Sequence, residues 1–180
     1  MSIKRIAVYC GSGKGTKPAY EKAAREFGKA MSRHGIGLVF GGGHVGIMGV
    51  VADAVLEEGG EAIGVIPGFL KKREVGHTGL TEMIEVESMH IRKQKMVDLA
   101  DAFAILPGGL GTLDELMEIL TWKQLGLNQS PIGILNTEGY YTPLMGLMHH
   151  MESHGFIRNP IEKYIKVSDE PERLLELLVN

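Results

Sequence analysis

The chain has 180 residues, 44% hydrophobic and 23% charged, with 25 glycines and a formal net charge of −3. That fits one globular domain over residues 1–180, large enough to bury roughly 70% of its unfolded surface. The charge excludes a general nucleic-acid footprint, and no apolar run reaches the roughly 20 residues of a membrane span, so neither partner is expected. The single cysteine excludes an internal disulfide; with no signal-peptide pattern, a reducing, cytoplasmic compartment is expected.

Residues 6–9 read as a short apolar strand ending in a glycine loop, Cys10-Gly11-Ser12-Gly13-Lys14-Gly15-Thr16. Helix signals run from Pro18 through Ala23, Phe27 and Met31 and stop near His34-Gly35. The loop lacks P-loop spacing: Gly15 stands where Ser or Thr must follow Gly-Lys, and Val8 where the first Gly belongs. Lys14 reads as an anion contact or a solvated lysine, and Cys10 as a packed small hydrophobe.

Residues 36–40 form the next strand. Gly41-Gly42-Gly43-His44-Val45-Gly46-Ile47-Met48-Gly49 follows, opening a helix to about residue 58. Gly41, Gly43 and Gly46 satisfy G-x-G-x-x-G, the weak form of the dinucleotide pattern. The strand over 61–66 ends in Ile66-Pro67 rather than in an acid for a ribose, which argues against NAD. Close helix–strand packing explains Gly46 and Gly49 without a ligand. Residues 67–80 read as a polar loop with Lys71, Lys72, Arg73, Glu74 and His77, suited to a lid or rim. After a strand over 81–87, the run from Ser88 to Met96 opens a helix to about residue 100, with Met89, Met96 and Leu99 on its buried face. Arg92 and Lys93 in its first turns oppose the helix dipole. Either a phosphate or carboxylate compensates them, or they form a solvated basic face.

A strand over 102–106 leads into Pro107-Gly108-Gly109-Leu110-Gly111-Thr112-Leu113-Asp114-Glu115 and an amphipathic helix over 113–125. Strand, glycine turn and helix together aim several backbone N–H groups at one point, which makes a phosphate site. Thr112 is the expected N-cap and Glu115 lies in the first turn. The same pair also spells a capping box, a purely structural role. A strand over 132–135, a helix over 142–154, a short strand over 164–167 and a helix over 171–179 complete the chain. His149, His150 and His154 lack the zinc-protease spacing and a further ligand set, so no metal is expected.

Strands alternating with helices predict an α/β fold: a doubly wound, Rossmann-like parallel sheet covered by helices on both faces. The glycine loops and residues 88–93 then lie at C-terminal strand ends, which converge at the switch point of such a sheet. Ser12, Gly41, Gly42, Gly43, Arg92 and residues 108–115 can share one site.

Residues 107–115 resemble the P-G-G-x-G-T-x-x-E motif of the LOG ("Lonely Guy") family, cytokinin-activating phosphoribohydrolases long labelled possible lysine decarboxylases. Ser88-Met89-His90-x-Arg92-Lys93-x-x-Met96 and Gly41-Gly42-Gly43-x-x-Gly46-x-Met48-Gly49 resemble its other two motifs, in order and spacing, over about residues 10–126. The resemblance implies a Rossmann-like fold, a homodimer or a larger assembly, and no cofactor. It implies hydrolysis of the N-glycosidic bond of AMP or an N6-modified AMP, giving free base and ribose 5-phosphate. It makes Arg92 and Glu115 catalytic. With the convergence above, the substrate contacts are Ser12, Gly42, Gly43, Glu74, Met89, Arg92, Lys93, Gly108, Gly109, Leu110, Gly111, Thr112, Leu113, Asp114 and Thr121. The chain departs from the family pattern at Leu110, where Tyr is common, at Gly13, where Ser is common, and at Lys72, where Pro often precedes the Arg-Glu pair.

The residue types fit this chemistry independently. Breaking an N-glycosidic bond builds positive charge on the sugar, which a carboxylate such as Glu115 stabilises while orienting water. A pyridoxal-phosphate decarboxylase is excluded by chain length and the lack of a Schiff-base lysine motif. A non-catalytic nucleotide or cofactor carrier on the same fold is the alternative.

Overall fold

A computed structural model describes residues 3–71 and 76–180. Its strands are β1 (Arg5–Tyr9), β2 (Gly37–Phe40), β3 (Ala62–Pro67), β4 (Glu82–Val86), β5 (Ala102–Ile105), β6 (Ile132–Leu135) and β7 (Lys166–Ser168). Its α-helices are α1 (Pro18–Arg33), α2 (Gly46–Glu57), α3 (Gly68–Lys71), α4 (Met89–Leu99), α5 (Leu110–Gln124), α6 (Thr142–Ser153) and α7 (Pro171–Val179). The seven strands form one sheet in the order β4-β3-β2-β1-β5-β6-β7. Every neighbouring pair is parallel.

The central strands are apolar, apart from Arg5 at the start of β1, because both of their faces are covered. Side chains alternate across the sheet, so Ile6 and Val8 join Phe27, Val51 and Leu174 in one core. Ala7 and Tyr9 join Met96, Leu116 and Met148 in the other. Thus α1, α2 and α7 cover one face, and α4, α5 and α6 the other. Each fully buried Ile, Leu or Phe contributes roughly 1.5–3 kcal/mol to holding these layers together.

The chain winds outward from β1 through β4, then returns to β5 on the other side of β1. Connections leave β1 and β5 in opposite directions, which opens a crevice beyond their C-terminal ends. Two segments differ from expectation. One helical turn, α3, interrupts the polar stretch after β3. The last strand starts at Lys166 rather than at residue 164, because the Tyr164 and Ile165 N–H groups both donate to Ile161 O in a preceding 3-10 turn.

Candidate active site

At the crevice the two glycine loops meet backbone to backbone. Tyr9 is in register with Ile105, Leu106 N–H donates to Tyr9 O at 2.9 Å, and Gly11 N–H donates to Pro107 O at 3.0 Å. A Cβ on Gly108 would lie 2.8 Å from Gly11 N and would overlap the Thr112 hydroxyl. Packing alone therefore demands a glycine at 108. It makes no such demand at Gly109 or Gly111, where a Cβ would enter open space and φ is not left-handed. What these two glycines leave is room for a ligand to reach the backbone.

The helix that follows starts earlier than its sequence suggests. Gly109 is the N-cap, with no side-chain cap bond, and Leu113 N–H already donates to Gly109 O at 3.1 Å. Thr112 is thus a buried third helical residue rather than the cap, Glu115 falls in the second turn, and the capping box is not made. The N–H groups of Leu110, Gly111 and Thr112 become the first-turn donors that a helix cannot satisfy internally. Together with the positive end of the dipole they form an anion cradle.

A cavity of about 260 Å³ lies over this cradle. Ser12, Gly109, Leu110, Gly111, Thr112, Asp114 and Glu115 line it, with Arg92 and Met89 from α4, Gly41 and Met48 from the second glycine segment, and Leu70 from α3. Arg92 is 5% exposed, so a solvated basic face is ruled out for it. Its Nε donates to Val65 O at 3.0 Å and its Nη2 to Gly41 O at 3.2 Å. These carbonyls at the ends of β3 and β2 receive a guanidinium that the dipole of its own helix disfavours.

Lys93 is buried as well, and turns toward α5. Its Nζ lies 3.2 Å from Asp114 Oδ2 and 3.1 Å from Glu118 Oε1. Burial lowers its pKa, but the hydrogen bonds it donates to Glu118 and Asp114 outweigh that and hold the ammonium above the usual lysine range. Lys93 thereby fixes Asp114 at the cavity edge without lining the cavity itself.

Glu115 is half-buried in the cavity wall. Its charge is felt at Cys10, whose thiol pKa is pushed far up by burial first and by Glu115 next, with Arg92 opposing. The Cys10 thiol therefore stays protonated and is not a nucleophile.

Some expected contacts lie elsewhere. Gly42 and Gly43 are buried behind the cavity: Gly42 O accepts the His77 N–H at 2.9 Å, and Gly43 bridges to Gly76. Leu113 packs into the core under α5. Thr121 is exposed, donates to Met117 O at 2.7 Å and lines a separate apolar groove of about 180 Å³ with Met117, Leu144, Leu147 and Met151. Glu74 lies outside the described residues. Of the weighed histidines, His149 pairs with Glu162 at 2.9 Å, and the His150 and His154 rings lie 4.1 Å apart, tilted by 48°.

Sequence reading missed Leu70 and Met48 in the wall. Leu70 was legible as an apolar residue inside a polar stretch. It also missed Tyr140, whose hydroxyl donates to Gly108 O at 2.6 Å. Its position shortly after a strand end was the available clue.

A doubly wound parallel sheet with a glycine cradle, a buried arginine and a glutamate at its switch point belongs to the Rossmann-like nucleotide-fold class. Solved structures share the fold. The molybdenum cofactor binding protein of Rippkaea orientalis superposes with a TM-score of 0.72 at 23% identity, covering 98% of this chain and 96% of that one. The molybdenum cofactor carrier protein of Chlamydomonas reinhardtii gives 0.71 at 20% identity, covering 98% and 99%. Both likenesses speak to fold alone. Residues 48–178 match the family described as "Possible lysine decarboxylase". The chain is 48% identical over 163 residues to cytokinin riboside 5'-monophosphate phosphoribohydrolase LOG of Oryza sativa subsp. japonica, covering 91% of this chain and 67% of that one. It is 46% identical over 166 residues to LOG7 of Arabidopsis thaliana, covering 92% and 76%. The chain belongs to this family, which includes the LOG phosphoribohydrolases.

Proposed function

We propose that this protein is a single-domain nucleoside 5′-monophosphate phosphoribohydrolase. It hydrolyses the N-glycosidic bond of AMP or an N6-modified AMP to the free base and ribose 5-phosphate. The observation that carries this is the shared cavity, in which Glu115 and Arg92 stand beside the first-turn backbone N–H groups of α5.

In this reading the cradle and the Thr112 hydroxyl hold the 5′-phosphate. That remote binding sets C1′ against Glu115. As the C1′–N bond lengthens, the bonding pair goes to the base, and the Glu115 carboxylate stabilises the positive sugar ring. Water adds its oxygen to C1′, its proton passes to Glu115, and the departing base takes up a proton from solvent. Arg92, held by two carbonyls, supplies positive charge to the substrate oxygens. Met48, Leu70, Met89 and Leu110 give the cavity an apolar side suited to a purine with an N6 substituent.

Two further properties belong to this proposal. The apolar groove between α5 and α6 is where a second copy docks to make a homodimer. Its rim carries the exposed Met117, Leu147 and Met151, and such a patch calls for cover. A reducing, cytoplasmic setting is supported by the free, buried Cys10. No helix among the described residues is long and apolar enough to cross a membrane.

The test incubates wild-type protein and Glu115→Gln with AMP and with isopentenyladenosine monophosphate, and quantifies released base. The wild type should release base, while Glu115→Gln retains nucleotide affinity and loses turnover by about 10²-fold or more. Undiminished turnover in the variant would end the role of Glu115. A wild type that binds both nucleotides and releases no base would favour the carrier alternative.

A further inference from the structure

We propose that Tyr140 is a positioning residue that fixes the direction of the Gly109 backbone N–H at the edge of the cradle and so sets the cradle's affinity for a phosphate monoester. The inference rests on the phosphate-binding role given above to the first turn of α5, residues 110–112, to which it adds the Gly109 N–H. It begins with three consecutive carbonyls at the end of β5. Leu106 O accepts from the Tyr141 hydroxyl at 2.8 Å, Pro107 O from Gly11 N–H at 3.0 Å, and Gly108 O from the Tyr140 hydroxyl at 2.6 Å. Every carbonyl leading into the cradle is thus held by a donor from another segment.

In a trans peptide the C=O and the next N–H point in opposite directions. Binding Gly108 O toward Tyr140 therefore turns the Gly109 N–H away from Tyr140. Gly109, Leu110, Gly111 and Thr112 line the 260 Å³ cavity, and neither Tyr140 nor Gly108 does. Tyr140 lies in an adjoining hollow with Tyr20 and Pro107, which Ser12, Gly108 and Gly109 also line. The brace is needed because of the glycines themselves. Bare backbone gives the ligand room, but it also leaves the Gly108–Gly109 peptide free to rotate.

The local fold is arranged to deliver this tyrosine. Past β6, Glu138 takes a left-handed φ of 55°, followed by Gly139 at 70°. A non-glycine residue rarely adopts that conformation unless its surroundings impose it. Here Lys17 pairs with Glu138 at 3.2 Å, and Tyr141 N–H donates to Asn136 Oδ1 at 2.7 Å. The Tyr140 ring meets Tyr20 edge-on at 5.5 Å and Tyr141 at 4.9 Å. Ring packing and hydroxyl bonding are therefore separable, because Tyr140→Phe removes only the hydroxyl.

The experiment measures binding of ribose 5-phosphate, AMP and adenosine by calorimetry, and AMP hydrolysis, for wild type and Tyr140→Phe. For Tyr140→Phe the expected result is about five- to tenfold weaker binding of ribose 5-phosphate and AMP, the worth of one lost hydrogen bond. Adenosine affinity should be unchanged, and KM should rise far more than kcat falls. A Tyr140→Phe protein that binds ribose 5-phosphate as tightly as wild type overturns the inference, as does equal weakening toward adenosine. Binding is read independently of turnover. A wild type without hydrolysis but with this phosphate-selective loss would overturn the hydrolase proposal and leave the tyrosine role standing. A wild type that binds no ribose 5-phosphate would overturn the cradle and the tyrosine role together.

Discussion

The Lys93 ammonium lies 3.1 Å from Glu118 Oε1 and so joins α4 to α5. Its helix carries Arg92 and the partner helix carries Glu115, so this ion pair and the one to Asp114 tie the two catalytic candidates together. Lys93→Met should lower stability by about 1–2 kcal/mol, because two carboxylates lose a charged hydrogen-bond donor. That is a fall in Tm of about 2–8 °C for a chain of this size. The pH dependence follows from the raised lysine pKa. A group whose folded pKa is raised contributes fully below its unfolded value, near 10.4 for lysine, and loses that contribution as pH rises through the folded value. The gap in Tm between wild type and variant should hold from pH 7 to about 10 and narrow above it. Melting curves at pH 7, 9 and 11 check this; a gap that persists undiminished at pH 11 contradicts it.

Gly41 makes a second dependence testable. A Cβ there would overlap the Arg92 guanidinium and stand 3.1 Å from Met48 Sδ. Gly41→Ala should displace the guanidinium while leaving the arginine in the chain, and turnover of AMP should drop by about tenfold or more. Arg92→Lys should fare no better, since a single ammonium cannot reproduce the guanidinium fork that reaches both Val65 O and Gly41 O. Wild-type kcat in Gly41→Ala would show that the arginine's placement is unimportant to the reaction.

The parallel sheet was legible because its strands are short, apolar and separated by helices of amphipathic period, with Pro18 and Pro171 marking helix starts. The cavity was legible because chemistry of this kind sits at strand ends, which convergent glycine loops mark. What escaped was tertiary. Thr112 is a good N-cap by type, yet Gly109 took that place once the strand ended against Gly11. Sequence left Arg92 and Lys93 either compensated by a phosphate or carboxylate or solvated, and only the fold supplies their partners, Val65 O and Gly41 O for Arg92 and Glu118 and Asp114 for Lys93. Gly42 and Gly43 look like ligand glycines in sequence, but their backbone is taken up by the segment around His77.

That segment yields a third expectation. The His77 ring is buried, its Nε2 lies 2.9 Å from Asp53 Oδ1, and its Nδ1 accepts the Gly79 N–H at 3.0 Å. A donor at Nδ1 leaves the proton on Nε2, so Nε2–H donates to Asp53. Asp53→Asn keeps an acceptor and should melt close to wild type. Asp53→Ala should lose about 1 kcal/mol and speed amide exchange over residues 76–80. Equal exchange rates in the Asn and Ala variants would show that the hydrogen bond does not hold the segment.

The groove between α5 and α6 is tested by charge. Leu147 is 48% exposed and lines it with Met117 and Met151. Leu147→Asp leaves the fold of a monomer nearly undisturbed, since the side chain already faces solvent, but it places a carboxylate in any apolar interface formed there. Sedimentation should give a dimer for wild type and a monomer for the variant at the same concentration. A dimer in both would move the interface elsewhere.

Neighbouring glycines of the cradle should fail in opposite ways. At Gly108 an added Cβ would lie 2.8 Å from both Gly11 N and Thr112 Cβ, atoms with no flexible end to yield. Gly108→Ala must push the two loops apart, so it should lower stability by about 1–3 kcal/mol and Tm by about 2–12 °C. At Gly109 φ is −99°, an angle alanine adopts freely, and the added Cβ meets nothing within 4 Å. Gly109→Ala should therefore melt within about 2 °C of wild type, as unstrained substitutions do. Its methyl group, however, stands where a phosphate would approach the first-turn N–H groups, so AMP affinity should fall by about tenfold or more. Melting curves and AMP titrations on the two variants separate packing from ligand space. If Gly109→Ala binds AMP like wild type, the open space over that residue is not where the phosphate goes.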